Sequence, residues 1–524
     1  MTEQQQFLLA ALREAAFYPH PVSQIELVET HISWIFLTGR YAYKLKKPVD
    51  LGFVDFSSLA KRRWFCNEEL RLNQRLAPEL YLRVVPIGGS AEQPQFDAEP
   101  ALEYAVQMRQ FEQHGLLSRL AQRGELQPAH IDQLADSIAD FHQRIAGQPV
   151  PADYGEPAQI ARWAEQNFSQ IAPLLENDRQ RAELDQLHSW SRHWQDALQS
   201  CFSARRQQGL VREGHGDLHL GNIVLLDGQV KLFDCLEFNP ELRWLDVQND
   251  LAFAVMDLHD RGLTALAYRL LNRYLERSGD YAGLQVHPFY AVYRALVRAK
   301  VGLLRLQQDG LSAAERATIW REFQDYLALA GRLSSASSPC LYLTHGLSAS
   351  GKSTVAGQLV EQLGAVRIRA DVERKRLYGL VAEAASGANL NDGIYSEDAT
   401  RRTYQHLTEL AETVLQAGFS AVIDATFLRQ WQRALFLQLA GRLGVPVLIL
   451  DLQAPLAVLQ ERLRQREIQG GDPSEATLDV LVSQYQNRNP LSEQERAIAV
   501  PVDTSQLDQL TCKLPEHPLL RGAS

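Results

Sequence analysis

Between His215 and Pro240 the chain reads HGDLHLGNIVLLDGQVKLFDCLEFNP, which sets Asp217, Asn222 and Asp234 around a short apolar hairpin. That order suits phosphoryl transfer: the first aspartate positions an attacking hydroxyl, and the amide and second carboxylate hold Mg2+ on the phosphates of a nucleotide such as ATP. A second stretch, GLSASGKST from Gly346 to Thr354, satisfies GxxxxGK[ST]. The glycines, Gly346 and Gly351, permit a tight turn. Backbone N–H groups of the loop and helix start, from Ser348, Ala349 and Ser350 through Thr354, cradle phosphate oxygens. Lys352 reaches the β and γ phosphates, and Ser353 binds Mg2+. The sequence carries two phosphate sites.

Each site needs further groups. For the first, Lys44 in YAYKLKKP follows an apolar β pattern, and Glu69 in CNEELRLNQRLA lies on the next helix, placed to pair with it and aim it at the nucleotide. Lys46 shares the strand parity of Lys44 and is its weaker rival; Glu68 rivals Glu69. Any phosphate-covering loop must be Thr30 to Trp34, THISW, since the N-terminal lobe has no GxGxxG. Glu237 and Glu241, near Asp234, read as surface or hairpin-capping residues in preference to groups that assist metal or substrate, and His215 and His219 as structural. For the second site, VRIRADVERKRL offers Asp371 to accept a hydroxyl proton or orient metal, with Arg369 and Arg374 for an anionic substrate. Asp424, ending the strand SAVIDA, is placed to act beside the magnesium or to touch substrate. Arg462 and Arg466, four apart on one helix face and followed by IQGGDPSEA, have the layout of a lid that brings cations to the transferring phosphoryl group.

The elements that must position these groups divide near residue 335, where a Leu- and Ala-rich helix gives way to GRLSSASSPC. The expected domains are 1–333, a linker at 334–340, and 341–524. In the first, IELVETHISWIFLTGRYAYKLKKP predicts β segments turning at Thr38-Gly39-Arg40, with a helix from about Ser58 to Leu76 and mostly helix afterwards. In the second, LYLTH, AVRIRA, SAVIDA and PVLILDL alternate with helical segments, which implies a parallel sheet covered by helices. The fold class is therefore an α+β bilobal domain, small β-rich lobe and large helical lobe, followed by an α/β P-loop domain with a parallel sheet.

A chain of 524 residues is too long for one core, and 45% hydrophobic residues support globular packing. A net charge of −10 argues against a general nucleic-acid or membrane-surface binder. Five scattered cysteines without CxxC or Cys/His spacing read as reduced thiols. With no signal-peptide pattern and no apolar run long enough for a bilayer, a cytoplasmic protein is expected.

His215-Gly216-Asp217 through Asn222, then Leu232-Phe233-Asp234, resembles the aminoglycoside phosphotransferase and choline kinase branch of the kinase-like fold, with Asp250 similar to the aspartate that braces the catalytic loop. Residues 340–505 resemble the small P-loop kinases that include polynucleotide 5′-hydroxyl kinase, gluconate kinase and zeta toxins. The fused order, with LKKPVDLGFVDFSS and LEFNPELRWLDVQNDLAF, is similar to bacterial bifunctional aminoglycoside phosphotransferase-like and ATP-binding proteins. The resemblance implies a kinase using ATP and Mg2+ on small-molecule or nucleotide hydroxyls. The alternatives are a nucleotide-binding regulator in which one half, more readily the first, does not turn over, and a nucleic-acid end kinase.

Overall fold

The computed structural model describes residues 3–50, 54–307, 310–382, 384, 393–469 and 476–506, without the side chains of 466–469. It forms two compact units, Met1–Gly262 with Phe289–Gly331, and Leu263–Pro288 with Arg332–Ser524.

In the first unit, β1 (Glu26–Glu29), β2 (Ser33–Leu37), β3 (Tyr41–Lys46), β4 (Tyr81–Gly89), β5 (Pro94–Phe96) and β6 (Glu103–Arg109) form one antiparallel sheet in the order β1-β2-β3-β6-β4-β5. The expected turn lies between β2 and β3, with Gly39 at φ +91°. Alternation along β3 puts Tyr43 and Leu45 into one core with Tyr18, Trp34 and Phe36. Ala42, Lys44 and Lys46 share the opposite face. On that side lies the helix Leu59–Asn73, begun by Ser58, whose hydroxyl accepts from the Lys61 N–H at 3.3 Å. Its buried positions Cys66, Glu69 and Asn73 recur at helical spacing, so Glu69 faces the two lysines.

The rest of the unit is helical apart from β7 (Val211–Glu213), β8 (Ile223–Leu226), β9 (Gln229–Leu232) and β10 (Trp244–Asp246), which pair as two short ribbons, β7 with β10 and β8 with β9. The β8–β9 hairpin buries Ile223, Val224, Val230 and Leu232 and so fixes the distance between Asn222 and Asp234 at its two ends.

In the second unit, β11 (Leu341–His345), β12 (Val366–Arg369), β13 (Ala421–Asp424), β14 (Val447–Gln453) and β15 (Ala499–Asp503) make a parallel sheet in the order β12-β13-β11-β14-β15. The chain departs from β11 to both sides, and ligands of such sheets bind at the carboxyl ends of the strands beside that switch point. The fifth strand, AVPVD, was not expected: Pro501 argues against a central strand, and the residue is tolerated because β15 is an edge. The segment Leu263–Pro288, inside the domain expected at 1–333, belongs to this unit. Cys66, Cys201, Cys235 and Cys340 are free thiols, and Cys512 lies outside the described residues. Among the described residues no helix is long and apolar enough to cross a membrane.

Candidate active sites

The first site gathers around Lys44. Its ammonium lies 2.6 Å from Asp234 Oδ1 and 2.8 Å from Glu69 Oε1. Glu69, 0% exposed, also accepts from Lys46 Nζ at 2.7 Å through its other oxygen. Lys46 in turn pairs with Glu237, which is 3% exposed. Two ammonium groups thus sit among three carboxylates. Burial works against charge on Lys44, but Asp234, Glu69 and Glu237 outweigh it and hold the amine well above its ordinary range. The rivalry between the lysines resolves into a division: Lys44 reaches the site and Lys46 anchors Glu69 from behind. Glu68 turns away to Arg71 and Arg243. The reading of Glu237 as a surface group is corrected, since an unpaired Lys46 could not be buried. Glu241 is partly exposed and pairs with Arg162.

The loop from His215 to Asn222 is held by two buried aspartates. Asp250 accepts the N–H groups of His215 at 2.6 Å and Gly216 at 2.8 Å, and Asp257 accepts that of Leu220 at 2.8 Å. Burial would raise the Asp250 carboxyl, but His142 and these donors hold it down to about 2. The expected brace is therefore present at Asp250; Asp257 was missed because nothing in its local sequence distinguishes it from a helix-surface acid. His215 is structural, as expected. Its Nε2 lies 2.9 Å from the Phe233 carbonyl and its Nδ1 3.3 Å from the Asp217 N–H, a pattern met by the neutral tautomer with hydrogen on Nε2. Burial lowers its pKa and favours that neutral form.

Asn222 Nδ2 donates to the Asp217 carbonyl at 2.9 Å and to its carboxylate Oδ2 at 3.0 Å. With the nitrogen so engaged, the amide oxygen is the atom Asn222 can offer a cation. Asp234 is held at φ +61°, its N–H donating to Tyr81 Oη at 3.1 Å. Burial raises the Asp217 carboxyl, but His219 and Arg298 more than reverse this and keep it ionised. Asn222 and Asp234 together present hard oxygen donors, the chemistry magnesium prefers. A cavity of about 180 Å³ beside them is lined by Ile35, Leu37, Met108, Phe111 and Phe233, an apolar slot next to charged groups. The THISW turn joins β1 to β2, and its Thr30 hydroxyl accepts from the Ser33 N–H at 3.0 Å, so that hydroxyl serves the turn itself.

The second site lies at the carboxyl end of β11. Gly346 is at φ +156°, where a Cβ would lie 2.6 Å from Ser350 Oγ, and Gly351 at φ +85° opens the helix Lys352–Leu363. Ala349 also takes a positive φ, +63°. Lys352 Nζ donates to the Leu347 carbonyl at 2.7 Å, across the mouth of the loop. A cavity of about 760 Å³ opens beside Ser348, Ala349, Gly351, Lys352, Ser353 and Thr354. Ser350 is buried beneath the turn and Gly346 shapes it; neither lines the cavity. Asp371, Arg374, Arg369 and Asp424 all line it, as the sequence suggested. Asp424 is buried with Oδ2 unpartnered, and Arg369 Nε lies 3.9 Å from that oxygen. An unpartnered buried carboxylate oxygen in the cavity that Ser353 also lines suits a hard cation.

Arg462 is corrected. Its guanidinium donates to the Thr504 carbonyl at 2.6 Å and lies 3.4 Å from the Ala349 carbonyl, so it ties the loop to the end of β15 and does not line the cavity. Helical spacing placed it on a face but not which way that face turns. The side chain of Arg466 and residues 470–475 of the expected lid lie outside the described residues. Arg429 and Gln484 were missed. Both line the cavity, and Gln484 Oε1 accepts the Ser348 N–H at 2.8 Å. A lone glutamine on a helix gives no sequence signal.

Two families account for this architecture. Residues 66–287 match the phosphotransferase enzyme family, and residues 341–491 match an AAA domain. The protein is a kinase, an ATP-dependent phosphotransferase with both family types in one chain. Uncharacterized proteins of Mycobacterium tuberculosis and Mycobacterium bovis are 31% identical to it over 468 residues, which is 88% of this chain and 90% of each relative. The chain belongs to their family. Among solved structures, amicoumacin kinase hAmiN aligns with a TM-score of 0.40 and 14% identity over 63% of this chain and 94% of its own. A gluconokinase from Sinorhizobium meliloti 1021 aligns with a TM-score of 0.25 and 18% identity over 36% of this chain and 93% of its own.

Proposed function

We propose that each half is a separate phosphoryl-transfer centre acting on a hydroxyl-bearing small molecule or nucleotide. The observation that carries this reading is the convergence of Glu69 and Asp234 on the Lys44 ammonium, while the Asn222 amide fixes Asp217 from the other side of the same hairpin. In the first centre Lys44 steadies the nucleotide phosphates, Asn222 and Asp234 are the residues that would hold Mg2+, and Asp217 orients the acceptor hydroxyl and receives its proton. The low pKa of Asp217 suits a positioning group, since a loose transition state needs little proton abstraction in advance. In the second centre the loop N–H groups and Lys352 hold the phosphates, Ser353 and Asp424 are the candidates for Mg2+, and Asp371 faces the acceptor hydroxyl. When bound, Mg2+ supplies charge neutralisation on the β and γ phosphates. Arg369, Arg374 and Arg429 around the second cavity support an acceptor that carries negative charge. A cytoplasmic setting, where ATP and Mg2+ are plentiful, fits both centres.

The test is a screen of hydroxyl-bearing metabolites with labelled ATP, followed by Asp217→Ala and Lys352→Ala in the full chain. Each variant should lose about 10²–10³-fold of one transfer activity and leave the other within twofold. Loss of both activities in either variant, or of neither, would sink the two-centre reading. Turnover confined to the Lys352-dependent centre would reduce the first half to a nucleotide binder.

A further inference from the structure

Residues 263–287 fall within the phosphotransferase-family match at 66–287 but belong in space to the P-loop unit. The helix Thr264–Ser278 buries two polar residues, Asn272 and Glu276, four apart and so on one face. Burying them is unfavourable unless they are bonded, and both are bonded to β12. Asn272 Oδ1 accepts the Arg367 N–H at 2.7 Å and its Nδ2 donates to the Ala365 carbonyl at 3.1 Å. β12 is an edge strand, so this amide satisfies backbone groups the sheet leaves unpaired. Glu276 accepts from Arg367 at 2.9 Å and from Arg369 at 3.1 Å. Tyr281 donates to Glu373 at 3.3 Å, on the helix Ala370–Leu377 that carries Asp371 and Arg374. The packing is close: a Cβ on Gly364 would lie 2.5 Å from the Tyr268 ring.

Arg369 therefore stands between two carboxylates, bonded to Glu276 and 3.9 Å from Asp424. Taking Glu276 away removes a carboxylate that draws that cation to the helix side, while Asp424 stays 3.9 Å from it, and the guanidinium would shift toward the unpartnered Oδ2. We propose that Glu276 is a positioning residue of the P-loop centre: it holds Arg369 off Asp424 and so keeps that carboxylate available to the cation of the nucleotide. The inference rests on the reading of Ser353 and Asp424 as the cation-facing pair. It makes a segment with phosphotransferase-family sequence part of the working P-loop centre.

The test measures binding of a non-hydrolysable ATP analogue to the full chain as Mg2+ is varied, taking the part lost in Lys352→Ala as the share of the second centre. Glu276→Ala and the shape-preserving Glu276→Gln should each raise the Mg2+ concentration for half-maximal binding about tenfold, the order seen when a residue behind a metal ligand is removed. Metal-free binding should change less than twofold. Adding Arg369→Gln to either variant should restore the Mg2+ requirement to within threefold of the parent, because the competing cation is gone. A requirement unchanged in a folded Glu276→Gln chain overturns the inference, as does a double variant no better than the single one. Absence of any Lys352-dependent binding overturns this inference together with the two-centre reading, whereas its presence with an unmoved Mg2+ requirement overturns the inference alone.

Discussion

The two sites solve one problem, holding a triphosphate against charge repulsion, with different parts. In the first unit the charges are side chains that hold one another: Lys44 on Asp234 and Glu69, Lys46 on Glu69 and Glu237. In the second the receptor is mainly backbone, a loop shaped by Gly346, Ala349 and Gly351 around a cavity several times larger. A site preorganised by side chains depends on every partner, since removing one leaves a buried charge. A site preorganised by backbone depends on conformation, and only residues that set φ or hold the loop matter to its shape.

That contrast is open to direct attack. The largest effect should come from Glu69→Ala, which takes from two buried ammonium groups the carboxylate they share, leaving two positive charges against Asp234 and Glu237, and should cost about 3–5 kcal/mol in chemical denaturation of the first unit. A loss under about 1 kcal/mol would mean the network is not mutually dependent. Next is Asp250→Asn, at about 2 kcal/mol, with a distinctive pH signature. The folded carboxyl lies at about 2, below its ordinary 3.8, so its contribution is complete above the ordinary value and is lost as pH falls from about 4 to about 2. The parent should lose stability across that window and Asp250→Asn should lose less; parallel acid curves would contradict the brace.

On the backbone side, Gly351→Ala places a side chain at φ +85° and should cost about 1–2 kcal/mol, read as a lower melting temperature of the second unit alone. The smallest effect sharpens the comparison most. Arg462→Gln should cost about 1 kcal/mol through its lost bonds to the Thr504 and Ala349 carbonyls, with Lys352-dependent turnover changed by less than about threefold. A loss of about 10³-fold in turnover would restore Arg462 as a lid cation.

Much of both sites was legible because their chemistry is local in sequence. The GxxxxGK[ST] loop sets its own turn, and HGDLHLGN with its hairpin brings three polar groups together within twenty residues. The Lys44–Glu69 pair could be anticipated because strand parity and helical spacing each leave few choices. What escaped is non-local or depends on direction. Glu237 looked like a surface residue because nothing in LEFNP announces a buried lysine nearly two hundred residues away, and Arg462 looked like a lid because helical spacing says nothing about rotation.

By itself the sequence determined the two chemistries, the phosphate loop, the Asp–Asn–Asp order and the strand and helix periods, since each is written in residues a few positions apart and enforced by backbone sterics and burial. Only the tertiary structure decided which buried charges neutralise one another and that the helix Thr264–Ser278 serves the P-loop sheet. Those outcomes depend on Coulomb attraction and hydrogen-bond satisfaction between distant segments, which no local pattern encodes.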